Sequence, residues 1–185
     1  MSTISATPQA DVPFSTTLLV RDTCLCLHVQ RAARALARRF DEALRPVGLT
    51  NGQFSLLMSL NRPDMPGVPP ATMGSVAELL GMDRTTLTSA VKTLQRRGLL
   101  FIQTVAEDRR TKLLKLTGEG RKVLAAATPI WVSEHGAIEA ELGDSESSQS
   151  SAERLRQDLR LLGSGMSSPC VTATTQAADQ AHALE

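Results

Sequence analysis

The chain has 185 residues, 42% of them hydrophobic and 3% aromatic, with no tyrosine and a formal net charge of +1. Its length suits one domain with tails, its Leu-, Ala-, Arg- and Glu-rich composition favours helix, and its near-neutral total charge by itself points to no class of partner. No stretch approaches the roughly 20 apolar residues of a membrane span, Met1–Val20 lacks the parts of a signal peptide, and three cysteines make no disulfide framework, so a cytoplasmic protein with no membrane partner is expected.

Residues 1–14 are rich in Ser, Thr and Pro and read as a disordered tail. From about Ser15, Leu18, Leu25, Val29, Ala33, Leu36, Phe40 and Leu44 recur at helical spacing, predicting one long helix over 15–45 that Pro46 and Gly48 end. Thr50 reads as the N-cap of a second helix carrying Phe54, Leu57 and Leu60. Four prolines make 61–72 a loop. Met73–Leu80 is a short helix, Gly81 and Met82 turn, and Asp83 caps a helix to about Arg97, with Gly98 after the cationic pair Arg96 and Arg97. These residues, 73–98, form the helix-turn-helix.

Leu99–Val105 and Lys112–Leu116 read as strands around the polar turn 106–111, so 99–117 is a β-hairpin wing. Thr117 caps a helix over 118–142, which Pro129 should kink. Residues 143–151 are a linker, 152–162 a last helix, and 163–185 a disordered tail. The expected fold is mainly α with a small β-hairpin wing (α+β): a winged helix-turn-helix over 15–162 with a helical dimerisation region.

Charge is unevenly placed. Residues 83–121 carry 9 basic and 4 acidic side chains, net +5, whereas 122–185 carry 4 and 9, net −5. Such a block suits a polyanion, although a solvated surface accounts for it equally well from charge alone. The helix from Asp83 permits a sharper test. With Arg84 at zero, Thr88 falls near 40°, Lys92 near 80°, Thr85 near 100° and Ser89 near about 140°. Leu87, Ala90, Val91 and Leu94 fall between about 240° and 340°. One face is core, and the other holds cations and short hydroxyls with no acid, which suits close approach to a DNA groove. DNA-binding candidates are Arg84, Thr85, Thr86, Thr88, Ser89 and Lys92 on this helix, with Asp108, Arg109, Arg110 and Lys112 on the wing. An arginine at the wing tip suits a narrow minor groove, and Asp108 would orient it. An ordinary amphipathic surface helix is the plainer alternative.

The run from Met82 to Gly120, MDRTTLTSAVKTLQRRGLLFIQTVAEDRRTKLLKLTGEG, resembles the MarR family of transcription regulators, most specifically in the wing sequence from Asp108 to Gly120. The resemblance extends from about Thr23 to Leu142. It implies a winged helix-turn-helix homodimer on double-stranded DNA that binds pseudo-palindromic operators, usually as a repressor, and is released by a small ligand or by oxidation. It also places Arg84–Lys92 on the recognition helix and Arg110 at the minor-groove position.

A homodimer is expected on physical grounds too. Helices 15–45, 118–142 and 152–162 carry apolar stripes too large for one small domain to bury, unless they form an intramolecular bundle. Cys24 and Cys26 are candidate sensing residues. Cys26–Thr50 is similar to the first helix of the organic-hydroperoxide-sensing branch of that family, where the matching position is a reactive cysteine, although the tyrosines of that branch are absent here. A buried helical Cys acting as a small hydrophobe is the alternative. On a straight helix Cys24 and Cys26 would point about 200° apart, which argues against a shared metal. No metal site or cofactor is therefore expected, and a soft-metal-responsive regulator using Cys24 and Cys26 is kept as an alternative. Cys170 lies in the tail as a potential resolving partner. Trp131, near Pro129, is a candidate ligand-cleft residue for an apolar acid, or plain core. No G-x-S-x-G, P-loop or metal-ligand array is present, so an enzyme is not expected, and a non-DNA helical interaction module is the other alternative.

Overall fold

A computed structural model describes residues 11–63, 67–104, 111–143 and 150–164. Helices α1 (Phe14–Thr23) and α2 (Leu25–Leu44) are followed by a 3-10 turn at Arg45–Val47, then by α3 (Asn51–Ser59), α4 (Met73–Leu80) and α5 (Arg84–Arg96). Strands β1 (Leu100–Thr104) and β2 (Lys112–Leu116) precede α6 (Gly118–Leu142) and α7 (Ser151–Ser164). The fold is thus mostly helical with one antiparallel hairpin, the architecture expected.

The first helix departs from expectation. It is not continuous: Cys24 takes an extended conformation (φ −72°, ψ 104°), ending α1 and capping α2. The apolar spacing runs through this point and therefore reads as one helix. Locally, the Thr23 hydroxyl donates to the Leu19 carbonyl at 2.8 Å, a back-bond that bends helices, and Thr and Cys are modest helix formers. Helix α1 also begins one residue inside the expected 1–14 tail, and α7 runs two residues past 162. The rest of both tails, 1–10 and 165–185, lies outside the described residues, as does 144–149 of the linker. Helix α6 passes through Pro129 as one element.

The chain divides into two compact units, residues 1–134 and 135–185. In the first, Leu44, Leu56, Leu57, Val76, Leu87, Val91, Leu94 and Leu100 are almost completely buried. They draw α2–α5 and β1 around one core, each burial contributing about 1.5–3 kcal/mol before conformational entropy is counted. Gly48 takes a left-handed conformation (φ 67°) that ends the 3-10 turn, and Thr50 and Gln53 close a complete capping box on α3. Arg39 of α2 pairs with Glu134, and Phe54 stacks on Trp131 with ring centroids 6.1 Å apart. In the second unit, Glu139 of α6 accepts from Arg156 of α7 at 2.6 Å. Arg156 also binds Glu153 at 2.9 Å. These bonds hold both carboxylates below their ordinary range and raise the guanidinium.

Candidate nucleic-acid interface

Helix α4 starts at Thr72, whose side chain accepts from the Ser75 N–H while Ser75 reaches back, a capping box. Just before it, the Leu114 N–H donates to the Ala71 carbonyl at 2.8 Å, and Thr72 bridges to Leu113. The start of the helix-turn-helix is thereby tied to β2. Gly81 (φ 60°) ends α4, and the Met82 N–H closes the turn on Ala77 at 2.9 Å. Only a residue without a Cβ takes that left-handed conformation at little cost.

Asp83 then starts α5. Its carboxylate accepts the Thr86 hydroxyl at 2.6 Å and the Thr86 N–H at 2.8 Å. These bonds, the hydroxyl's first, hold the Asp83 carboxyl below its ordinary range. The two faces of α5 fall as the helical wheel requires. Leu87, Val91 and Leu94 are buried; Arg84, Thr85, Thr86, Ser89 and Lys92 are exposed and Thr88 is half-buried. At the far end Gly98 (φ 70°) stops the helix, and the Arg97 guanidinium donates to Gln53 Oε1 and the Gly48 carbonyl, both at 2.9 Å. Arg97 thus joins the end of α5 to the turn after α2.

The strands pair in register Leu100–Leu116 through Thr104–Lys112. Thr117 fixes the base of the hairpin: its hydroxyl donates to the Gly98 carbonyl at 2.6 Å and accepts from the Gly120 N–H at 2.9 Å. Between α5 and the sheet lies a groove of about 550 Å³. Arg84, Thr88, Lys92 and Gln95 of α5 line it together with Lys112 of β2, and among the described residues no carboxylate does. Its cations attract an anion.

Four of the predicted residues, Arg84, Thr88, Lys92 and Lys112, therefore meet in one groove. Ser89 and Lys92 border a neighbouring shallow depression with Arg96. Thr85 is exposed at the helix start, while Thr86 is engaged by the cap. Asp108, Arg109 and Arg110 lie outside the described residues. Gln95 and Arg96 were missed, although the same wheel puts them near about 20° and 120°, inside the polar arc. Thr72 also lines the groove; its signal was a threonine just before a helix with serine three residues on.

Cys24 is half-buried at the helix break and Cys26 is exposed, its Sγ 3.2 Å from the Gln30 amide nitrogen. Among the described residues no three His, Cys, Asp or Glu side chains gather as a metal-binding group. Trp131 is half-buried against Phe54. Among the same residues no helix is long and apolar enough to cross a membrane.

A capped helix-turn-helix followed at once by a two-stranded wing defines the winged helix-turn-helix class. Residues 47–111 match the MarR family. The transcriptional regulator MosR of M. tuberculosis, solved in complex with DNA, is 36% identical; the likeness covers 77% of this chain and 96% of that one, with a TM-score of 0.65. A probable transcriptional regulator of Pseudomonas aeruginosa is 26% identical, over 76% of this chain and 98% of that one, with a TM-score of 0.63. The HTH-type transcriptional regulator YwoH of Bacillus subtilis is 31% identical over 94 residues, 51% of this chain but only 64% of YwoH. The chain belongs to the MarR family.

Proposed function

We propose that this chain is a cytoplasmic DNA-binding transcription regulator that grips a pseudo-palindromic operator as a homodimer. On this reading it is a repressor released by a small ligand or by thiol oxidation. The observation that carries the reading is the groove where Arg84, Thr88, Lys92 and Lys112 converge, with no carboxylate among its described lining residues. Helix α5 would enter the major groove and the β1–β2 wing the adjacent minor groove, with Asp108, Arg109 and Arg110 at the wing tip. The 36% identical MosR, solved with DNA, supports the same reading.

Support for the homodimer comes from apolar side chains left in solvent. Phe14, Leu19 and Leu25 are more than half exposed near the N-terminus, and Leu155, Leu159, Leu161 and Leu162 are exposed on α7. A two-fold partner would cover such surface and set two α5 helices about one DNA turn apart.

The test is to sequence genomic fragments retained by the purified protein and to titrate the recovered site against salt. Inverted half-sites about 10 base pairs apart, and an affinity that falls steeply with salt, are expected. Retention without sequence preference, or a protein that stays monomeric on the DNA, would refute it.

A specific observation favours thiol oxidation as the release signal: Cys24 sits at the helix break and Cys26 is exposed beside the Gln30 amide. With an organic hydroperoxide as oxidant, the Cys26 thiolate attacks the peroxide oxygen. The S–O bond forms as O–O breaks, leaving a sulfenic acid and an alkoxide that takes up a proton to become the alcohol. Gel shifts with peroxide should show release of wild type and resistance of Cys26→Ser. If Cys24→Ser, Cys26→Ser and Cys170→Ser all respond like wild type, oxidation is not the signal. A ligand lodged near Trp131 then becomes the release mechanism to test.

A further inference from the structure

Helix α2 carries a second cationic surface that the helix-turn-helix does not use. Leu25–Phe40 contains four arginines and no carboxylate. Arg39 pairs with Glu134, but Arg31, Arg34 and Arg38 are exposed. With His28, Ala32 and Ala35 these three form one exposed face of α2. Arg34 reaches only the neutral Gln30 amide, at 3.3 Å, and Arg31 and Arg38 have no side-chain partner among the described residues. The carboxylates one turn further on are occupied: Glu42 pairs with Arg45, and Asp41 accepts the Asn51 N–H at 2.6 Å.

Helical geometry separates this stripe from the apolar face. With Leu25 at zero, Leu25, Val29, Leu36 and Phe40 fall within about 60°, and the three arginines fall between about 180° and 240°. A partner that covers the apolar face leaves the guanidiniums in water. Along the axis they are spaced by about 4.5 and 6 Å. Three like charges so close repel unless an anion sits between them, and alanines at 32 and 35 leave room for it. A single carboxylate engages one guanidinium fork. Neighbouring phosphates present acceptor edges on several sides, so adjacent forks can share them.

We propose that the Arg31–Arg34–Arg38 stripe is a binding site for a small anion with consecutive phosphate groups, a di- or triphosphate. The site is separate from the operator groove and stands whether or not the DNA reading does.

The experiment is calorimetric titration of the full chain with inorganic tripolyphosphate at physiological salt. Wild type should bind saturably. Arg31→Gln/Arg34→Gln/Arg38→Gln should bind at least about tenfold more weakly, since each lost fork removes charge-assisted bonds. Glutamine keeps helix propensity, and circular dichroism checks the fold. The single variant Arg34→Gln gives an intermediate loss if the triple variant does not fold. Arg121→Gln, at an exposed cation outside both surfaces, should bind tripolyphosphate like wild type. Absence of saturable binding, equal affinity of wild type and the triple variant, or an equal loss in the Arg121 variant would each overturn the proposal. So would a stripe that binds a non-operator duplex but not tripolyphosphate, which makes it a nucleic-acid backbone contact. A triple variant that dissociates to monomers would assign the stripe to a contact between copies and overturn it as well.

Discussion

Replacing Gly120 by alanine would place the new Cβ 1.9 Å from the Leu99 carbonyl oxygen and 2.9 Å from its carbon. Both are backbone atoms, so no side chain can swing aside. Relief requires the first turn of α6 or the start of β1 to move by more than an ångström. That movement strains the bonds that meet there: Thr117 N–H to the Leu99 carbonyl at 3.1 Å, Thr117 hydroxyl to the Gly98 carbonyl at 2.6 Å, and Gly120 N–H to Thr117 Oγ1 at 2.9 Å. Overpacking costs about 1–3 kcal/mol and a strained hydrogen bond about 1 kcal/mol. Alanine's better helix propensity returns up to about 1 kcal/mol. The net expectation is a loss of about 1–3 kcal/mol, read as a lower urea midpoint at fixed protein concentration. Gly118→Ala is the control, because nothing lies within 4 Å of its Cβ. It should be neutral or slightly stabilising. Equal midpoints for the two variants would refute the reasoning that Gly120 is required by close approach.

Arg84→Ala should cost about 1–3 kcal/mol of operator affinity and alter base preference if its guanidinium reads a base edge. Lys112→Ala should instead weaken all sequences alike and lower the salt slope by about 1, as a phosphate contact does; identical base preferences and salt slopes for the two variants would contradict that division. Asp83 carries a pH prediction. Its carboxyl is held low by Thr86, so the stability it adds is present above the ordinary carboxylate range and is lost as pH falls through the lower folded value. The gap in urea midpoint between wild type and Asp83→Ala should therefore be full at pH 7 and close in acid, whereas a pH-independent gap would exclude the capping role. Arg97→Ala removes the bonds to Gln53 and Gly48. Amide exchange at 48–53 should rise, with about 1 kcal/mol lost, and unchanged exchange there would show that Arg97 is not a strut.

What the residues announced and what they hid have physical causes. Local signals carried the helix-turn-helix: Gly81, Asp83 and Gly98 act within a turn or two of themselves, so each could be located by inspection. The buried face of α5 followed because Leu87, Val91 and Leu94 obey a single period. The break at Cys24 was invisible because Leu18, Leu25 and Val29 keep helical spacing across it. Tertiary choices were hidden as well. Arg97 looked like a cation serving the helix dipole but reaches Gln53 and Gly48, 44 and 49 residues away. The strand-like pairing of Ala71 and Thr72 with β2 follows four prolines that read as loop. Gln95 joins the groove from the last full turn of α5, one residue past the apolar period that ends at Leu94.

The hydroxyls of α5 refine what its exposed face can do. Thr88 Oγ1 donates to the Arg84 carbonyl at 2.7 Å, and Thr93 Oγ1 donates to Ser89 at 3.0 Å. Thr86 donates to Asp83. These threonines spend their protons on their own helix, so toward a ligand they offer lone pairs and methyl groups. A phosphate needs donors, and in the groove these come from Arg84, Lys92, Gln95 and Lys112. The amino group of cytosine or adenine and the thymine methyl need acceptors and apolar contact, which Thr88 supplies. On the proposed DNA-binding reading, lysines that would hold the backbone and a threonine that would sense a base edge make separable contributions. Thr88→Val keeps the shape and the methyl surface but removes the lone pairs. It should therefore leave the salt slope unchanged while reducing discrimination at one base position, and a changed slope with intact discrimination would invert the assignment.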